Sequence, residues 1–294
     1  MNKHFRLLIL GMMLSTITTS GESLSLDQLK ITDNLFFYRL NSSMGNTSSV
    51  LFTSDDGTLL IEPNFDQSES LIRDAMKRLS ISKIDYVATS HVHRDHTEQY
   101  PAFLPEAIGI VPLTQRRELE NETYLNGELP QLTYETRLHL YLGGEQIELS
   151  TLPNTFGHTG GDQLIYFKNS GVLYVGDYLF VDRYPIIDKN LGHLDGYLKN
   201  IEYIINNYPE DTQILGGHTS FHPAAFGAIN MQDYQNYYTD LQSSISYIKK
   251  ALQHGKTIDG IIEEGLPERF SKYRESPTYV NESRWIRYIA EHIK

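Results

Sequence analysis

Six consecutive residues constrain this chain more than any others: His91-Val92-His93-Arg94-Asp95-His96. Three imidazoles and a carboxylate lie within one short run, and each of those side chains can bind a divalent cation. Metal-binding histidines on a helix face recur at i and i+4. His91 and His93 are two apart, which suits an extended or tightly turned backbone in which alternate side chains point the same way. Those two can share one ion, while Asp95 and His96 point elsewhere and can serve a second. The preceding run, 84–89, is apolar and β-branched and reads as a buried strand. The cluster therefore sits on the loop leaving a strand's C-terminal end, where α/β folds place their chemistry. A solvated polar loop with accidental histidines is the blander alternative. Ligand-type residues in similar company downstream argue against it.

The first of these is His158, in the glycine-rich run Thr155-Phe156-Gly157-His158-Thr159-Gly160-Gly161-Asp162. Glycines there allow backbone conformations closed to other residues and a close approach of a metal. A phosphate-cradling loop is the rival, but the run lacks G-K-[ST]. A strand over 172–175 ends at Gly176-Asp177, and another over 212–215 ends at Gly216-Gly217-His218. Three strands thus deliver His91, Asp177 and His218 from equivalent positions. One site explains that more economically than three accidents.

The remaining pattern mixes strands and helices. Strands are expected over 31–40, 49–53, 58–61, 108–111 and 163–167, with one or two more over 138–152 around Gly143-Gly144. Asp55-Asp56-Gly57 is a hairpin signal. Helical periodicity marks 68–79, 114–124, 192–206, 233–254 and 283–293. Arg116 and Arg117 read as a solvated helix face. The 20 tyrosines are expected mainly in packing roles. No linker or repeat marks a boundary, so residues 21–294 are expected to form a single domain. Residues 1–20 carry Lys3 and Arg6, then an apolar stretch from Leu7 to Leu14, then small residues. That is the order of a secretory signal peptide, and it predicts a secreted or periplasmic protein with no stable membrane insertion after cleavage.

Composition narrows the chemistry. The formal net charge of −12 argues against nucleic acid as a partner, since phosphate backbones need a basic surface. The chain has no cysteine, so disulfides, thiolate zinc ligands and a thiol nucleophile are all excluded. Any metal must be held by nitrogen and oxygen.

Taken in order, H-x-H-x-D-H, G-H-T, G-D and G-G-H resemble the motifs of the metallo-β-lactamase superfamily, over most of the chain from about residue 31 onward. The resemblance implies an α/β, four-layer αββα sandwich with the metal site at one edge. It implies that His91, His93 and His158 hold one ion, that Asp95, His96 and His218 hold a second, and that Asp177 bridges them. Two divalent ions are expected, zinc first, with iron or manganese as alternatives. Where the family usually has Asp at an early strand end, this chain has Glu62. Glu62 is read as a residue supporting the ligands from behind.

The same resemblance implies a hydrolase in which a water shared by two ions attacks an electrophilic carbonyl or phosphoryl centre. Asp95 would orient that water and handle its proton, as the candidate catalytic residue. The bridging Asp177 departs from the Cys or Ser usual in β-lactamases of the superfamily and looks more like glyoxalase II, lactonases and related hydrolases. A looser likeness over 176–188 and 194–196 points to secreted hydrolases of quinoprotein relay systems, with His193 and Asp195 either at the site's mouth or capping a helix. The expected substrate is a small molecule with an ester, thioester or lactone bond. An iron-dependent dioxygenase or oxidase and a non-catalytic metal-binding carrier are the alternatives.

Overall fold

The computed structural model describes residues 24–43, 45–65, 67–220, 226–274 and 281–292. The leader expected over 1–20 lies outside them. Within the described residues, two mixed sheets pack face to face with helices on both outer sides.

The first sheet runs in chain order, β1 (Ser25–Lys30), β2 (Leu35–Ser42), β3 (Gly45–Ser54), β4 (Gly57–Ile61), β5 (Tyr86–Ala88), β6 (Ile108–Pro112) and β7 (Leu132–Tyr134). Its first four strands are antiparallel, and β4 to β7 are parallel. The second sheet has the order β13 (Ile229–Asn230), β12 (Gln213–Leu215), β11 (Val172–Tyr174), β10 (Gln163–Phe167), β9 (Glu145–Thr151) and β8 (Arg137–Leu142). Here β11 and β12 are the parallel pair. Each sheet therefore contains parallel neighbours whose C-terminal ends open onto the same edge of the sandwich.

Alternation along the strands builds three apolar layers. In β3 and β4, Val50, Phe52, Leu59 and Ile61 point between the sheets, where they meet Ile165, Phe167, Val172 and Tyr174. Their neighbours Leu51 and Leu60 face outward onto the helix α1 (Ser68–Arg78), which buries Leu71, Ile72, Ala75 and Met76. On the other side, Leu164 and Leu173 face α5 (Leu194–Asn207) and α6 (Met231–Gln253). Beyond them α7 (Ile258–Glu264) and α8 (Glu282–His292) close that layer. Both faces of each sheet are thus covered, as a four-layer sandwich requires. Tyr38, Tyr100, Tyr174, Tyr178, Tyr184, Tyr197, Tyr234 and Tyr273 are all fully buried, so packing is the use of these tyrosines. Among the described residues no helix is long and apolar enough to cross a membrane.

Several boundaries differ from the pattern in the sequence. The strand expected over 31–40 begins at Leu35, because Thr32 Oγ1 accepts from the backbone N–H groups of Asn34 and Leu35 and turns the chain. The preceding β1 carries little apolar signal, since it is an edge strand with only Leu26 buried. The helix expected over 114–124 is α4 (Leu113–Leu119). Past it, the amides of Asn121 and Glu122 bond three residues back instead of four and tighten the chain. Two short helices, α2 (Arg94–Thr97) and α3 (Tyr100–Phe103), follow β5.

Ile165 sits fully buried between the sheets. Replacing it with Ala should destabilise the metal-free protein by about 2–5 kcal/mol, since neither sheet can collapse into the cavity. Urea unfolding followed by circular dichroism measures this.

Candidate metal centre

Four strand ends supply the site from both sheets: β4 leads to Glu62, β5 to His91, β11 to Asp177 and β12 to His218. The β9–β10 connection adds His158. His93 lies at φ −60° and ψ 144°, extended, so that His91 and His93 point the same way. The short helix α2 then turns Asp95 and His96 aside. The spacing read from the sequence is the geometry found.

All seven expected residues converge. His93 Nδ1 lies 3.1 Å from both His91 Nε2 and His158 Nε2. Asp177 Oδ2 lies 3.7 Å from His91 Nε2 and 3.3 Å from His158 Nε2. Alongside, Asp95 Oδ2 is 3.6 Å from both His96 Nε2 and His218 Nε2. Asp177 reaches this second group too, with Oδ1 3.5 Å from His96 Nε2 and Oδ2 3.2 Å from His218 Nε2. A tetrahedral zinc with bonds of about 2.0–2.1 Å separates its ligand atoms by about 3.3–3.4 Å. Both donor groups have that spacing, and each could hold a cation.

The unpaired atoms agree with this reading. Glu62 Oε2, both ring nitrogens of His96 and Asp177 Oδ1 are buried without a hydrogen-bond partner. Buried polar atoms are rarely left so, because each costs about 1–3 kcal/mol. A cation among them satisfies the His96 and Asp177 atoms that face inward.

Four of the five histidines are also hydrogen-bonded through their other nitrogen, and the fifth, His96, has a carboxylate close to it. Ser90 Oγ pairs with His91 Nδ1 at 2.9 Å. Asp188 Oδ2 accepts from His93 Nε2 at 3.3 Å. Glu62 Oε2 faces His96 Nδ1 at 3.5 Å. The carbonyl of Ile186 accepts from His158 Nδ1 at 2.8 Å, and that of Asn46 from His218 Nδ1 at 2.5 Å. Such contacts fix ring orientation and raise ligand basicity. Glu62 is itself anchored, since its Oε1 accepts from the Ser90 amide at 2.8 Å. Its longer side chain, at a backbone φ of 60°, reaches His96 from the end of β4.

Behind His158, the buried carboxylate of Asp162 accepts from the amides of His158 and Thr159, from Thr159 Oγ1, and from Tyr178 OH. The glycines of this loop serve packing more than metal approach. A Cβ on Gly157 would lie 1.8 Å from Tyr178 Oη, and one on Gly161 would lie 2.3 Å from Thr114 Oγ1. Gly217 is the glycine that makes room for a ligand, since a Cβ there would lie 2.1 Å from Asp177 Oδ1.

Electrostatics follow from this crowding. Burial would raise the Asp177 carboxyl, but His218, His91, His96 and His158 hold it well below the usual carboxylate range. Burial and then the neighbouring His96 push the His91 imidazole well below its ordinary value. For His96, burial opposes the charge, yet Asp95, Asp177 and Glu62 outweigh it and push the ring up to about 10.

Sequence reasoning missed Asp188, Ser90, Asn46 and Ile186, because each acts on a histidine through the fold and none belongs to a motif. His193 and Asp195 prove to be the cap and first turn of α5. Arg116 is bound within its own neighbourhood, to Glu120 and the carbonyl of Pro130. A cavity of about 720 Å³ opens beside His93 and Asp188.

Comparison with known proteins places this geometry. The metallo-beta-lactamase superfamily profile matches residues 43–230, a span that contains every residue of both donor groups. The chain belongs to that superfamily, whose fold carries metal-dependent hydrolases, and its His and Asp groups are arranged to bind metal. Solved structures share the fold. A metallo-beta-lactamase from Pontibacter korlensis aligns with a TM-score of 0.61 at 16% identity, covering 74% of this chain and 99% of that one. DIM-1 metallo-beta-lactamase, in a crystal exposed to ceftazidime, aligns at 0.60 and 13% identity, covering 73% and 95%. Metallo-beta-lactamase IND-7 aligns at 0.57 and 17%, covering 73% and 98%. No curated protein sequence matches the chain.

Two outcomes are expected. Because His96 holds its proton until about pH 10, a cation must displace it, and metal affinity should rise with pH through the neutral range. One displaced proton corresponds to about tenfold per pH unit, and calorimetry in two buffers of different ionisation enthalpy counts the protons released. Asp188→Asn should weaken binding at the His93 group by about 10–100-fold, read by competition with a chromogenic chelator.

Proposed function

We propose that this protein is a secreted hydrolase that uses two divalent ions, zinc first, to cleave an ester, thioester or lactone bond in a small molecule. The observation that carries the reading is the pair of adjoining donor groups sharing one buried carboxylate: His91, His93, His158 and Asp177 on one side, Asp95, His96, His218 and Asp177 on the other. Divalent ions in such a pair supply a Lewis acid for the substrate oxygen and lower the pKa of water toward neutrality. The leader-like order of residues 1–20 supports export.

The chain's own groups divide the remaining work. Asp177, 3% exposed, carries negative charge between the two groups and offsets their positive charge without meeting solvent. Asp95 is the accessible carboxylate, with 45% of its side chain exposed. It is placed to take the proton of the attacking water and return it to the leaving oxygen or sulfur. Water thus adds across the bond and gives an acid and an alcohol or thiol, as two products from an ester or thioester and as one hydroxy acid from a lactone. The His93 and Asp188 side chains, each about one quarter exposed, form the face over which substrate arrives from the cavity. Asp177 as the shared carboxylate supports the bridging-aspartate branch over β-lactam cleavage.

The test is elemental analysis of the mature protein together with an ester, thioester, lactone and β-lactam panel. Near two zinc per chain with chelator-sensitive turnover is the expected result. Asp95→Asn should lower turnover by about 10²–10⁴-fold, the usual contribution of a positioned acid–base group, with the thermal melt of the metal-free protein unchanged. Iron with oxygen consumption and no hydrolysis would move the assignment to oxidation.

A further inference from the structure

Among the described residues, Ile108, Leu132, Tyr141 and Phe156 are the exposed large apolar side chains. Scattered singly, such groups need no explanation. Three of these four lie on β6, β7 and β8, along the one side of the sandwich where both sheets end. Strand β7 is the last of the seven-stranded sheet, β8 is the last of the six-stranded one, and two residues join them. By alternation Ile108 and Leu132 share the inward face with the buried Ile110 and Tyr134, yet they are 47% and 41% exposed. The space between the sheets is therefore open along this side.

A free strand edge is a template for further pairing, and folds blunt it with shortness, charge, proline or cover. The other three sheet ends are blunted in this way. Strand β13 has two residues and β7 three, and β1 carries Asp27 and Lys30. Strand β8 has six residues, and Arg137 is its only lysine, arginine or carboxylate. Its ladder to β9 leaves alternate residues facing out. The Thr151 amide donates to the Thr136 carbonyl at 2.9 Å, which makes these two a bonded pair. Bonded pairs recur at every second residue, so 136, 138, 140 and 142 serve β9. The N–H and C=O groups of Arg137, His139 and Tyr141 point away from it, and no described residue takes them.

We propose that β8 is the interface of a symmetric dimer, occupied by β8 of a second copy of this chain in antiparallel pairing. The outward groups select the register. A two-fold axis at His139 uses all three outward residues, setting His139 against its counterpart and Arg137 against Tyr141. The same alignment sets Leu138 against Leu140. It is self-complementary, since a guanidinium meets a phenol ring twice and a leucine meets a leucine twice. With the axis normal to the sheet, both inward faces stay on one side, and Leu132 and Ile108 of each copy approach those of the other. The net charge of −12 opposes association of the chains as a whole. On this edge it is offset, because Glu148 of β9 lies 3.4 Å from Arg137. The proposal is independent of the hydrolytic reading.

The test uses sedimentation velocity and cross-linking on the full chain. The native protein should form a reversible species of twice the chain mass. Tyr141→Lys sets an ammonium against Arg137 of the other copy, twice per dimer, and should raise the dimer Kd by about tenfold. Tyr141→Glu sets a carboxylate there and should leave the Kd near or below the native value, whereas loss of apolar contact alone would weaken both variants alike. The chain has no cysteine, so a single introduced thiol reports the register. His139→Cys places two thiols on Cα atoms about 5.5 Å apart, within the disulfide range of about 4.4–6.8 Å. Mild oxidation should link it much faster than Ser246→Cys on the exposed face of α6. Melts of the metal-free variants check folding. A native protein that stays a single chain at its highest soluble concentration would overturn the proposal. So would a dimer in which Tyr141→Lys and Tyr141→Glu have equal effects, or in which His139→Cys links no faster than the α6 control.

Discussion

The carboxylate of Asp177 is the point on which the rest of the centre depends. It lies within 3.7 Å of nitrogens from four histidines, is 3% exposed, and has one oxygen without a hydrogen bond. A charge so placed is tolerable only because positive groups surround it. Its neighbours make room for that arrangement. Gly217 supplies space beside Oδ1, and Gly176, at φ 53°, has no Cβ to meet the Ser90 side chain. The Tyr197 hydroxyl donates to the Asp177 carbonyl at 3.0 Å and fixes the turn from the helical side.

The sandwich explains how such distant residues meet. Parallel neighbours β4 and β5 in one sheet, and β11 and β12 in the other, all end at the same edge. There the two sheets are tied directly. The Ser48 amide donates to the Gly217 carbonyl at 2.9 Å, and the Gln163 amide to the Ser90 carbonyl at 2.8 Å. The site is therefore carried by strand ends and the short turns after them, and the rings of His93, His158 and His218 are held by the loop over 186–188 or by the opposite sheet. The centre is rigid because the seam is.

Much of this was legible in the sequence, for identifiable reasons. The i, i+2 spacing of His91 and His93 could not lie on a helix face, and the structure gives an extended backbone there. Repetition of a ligand type after successive strands pointed to one edge. What was hidden has a common cause, in that its signal lies in tertiary contact. Asp188 is an ordinary loop aspartate until the fold sets it against His93. Arg284 and Arg287 belong to no motif, and only the packing of α8 places them beside the cavity that His93 lines. The short edge strands β1 and β7 have too few buried residues to show a period.

The seven-stranded sheet pairs its strands in chain order, so each ladder closes a short loop at modest entropic cost. The donor set is the opposite case, drawing together residues 91, 93, 95, 96, 158, 177 and 218. In a chain without cysteine, these donors occupy the role that a disulfide fills elsewhere. A cation bound across them would tie both halves of the polypeptide together in the folded state and stabilise that state by binding it in preference to the unfolded chain. Contacts between residues far apart in the sequence would thereby come under the control of a ligand.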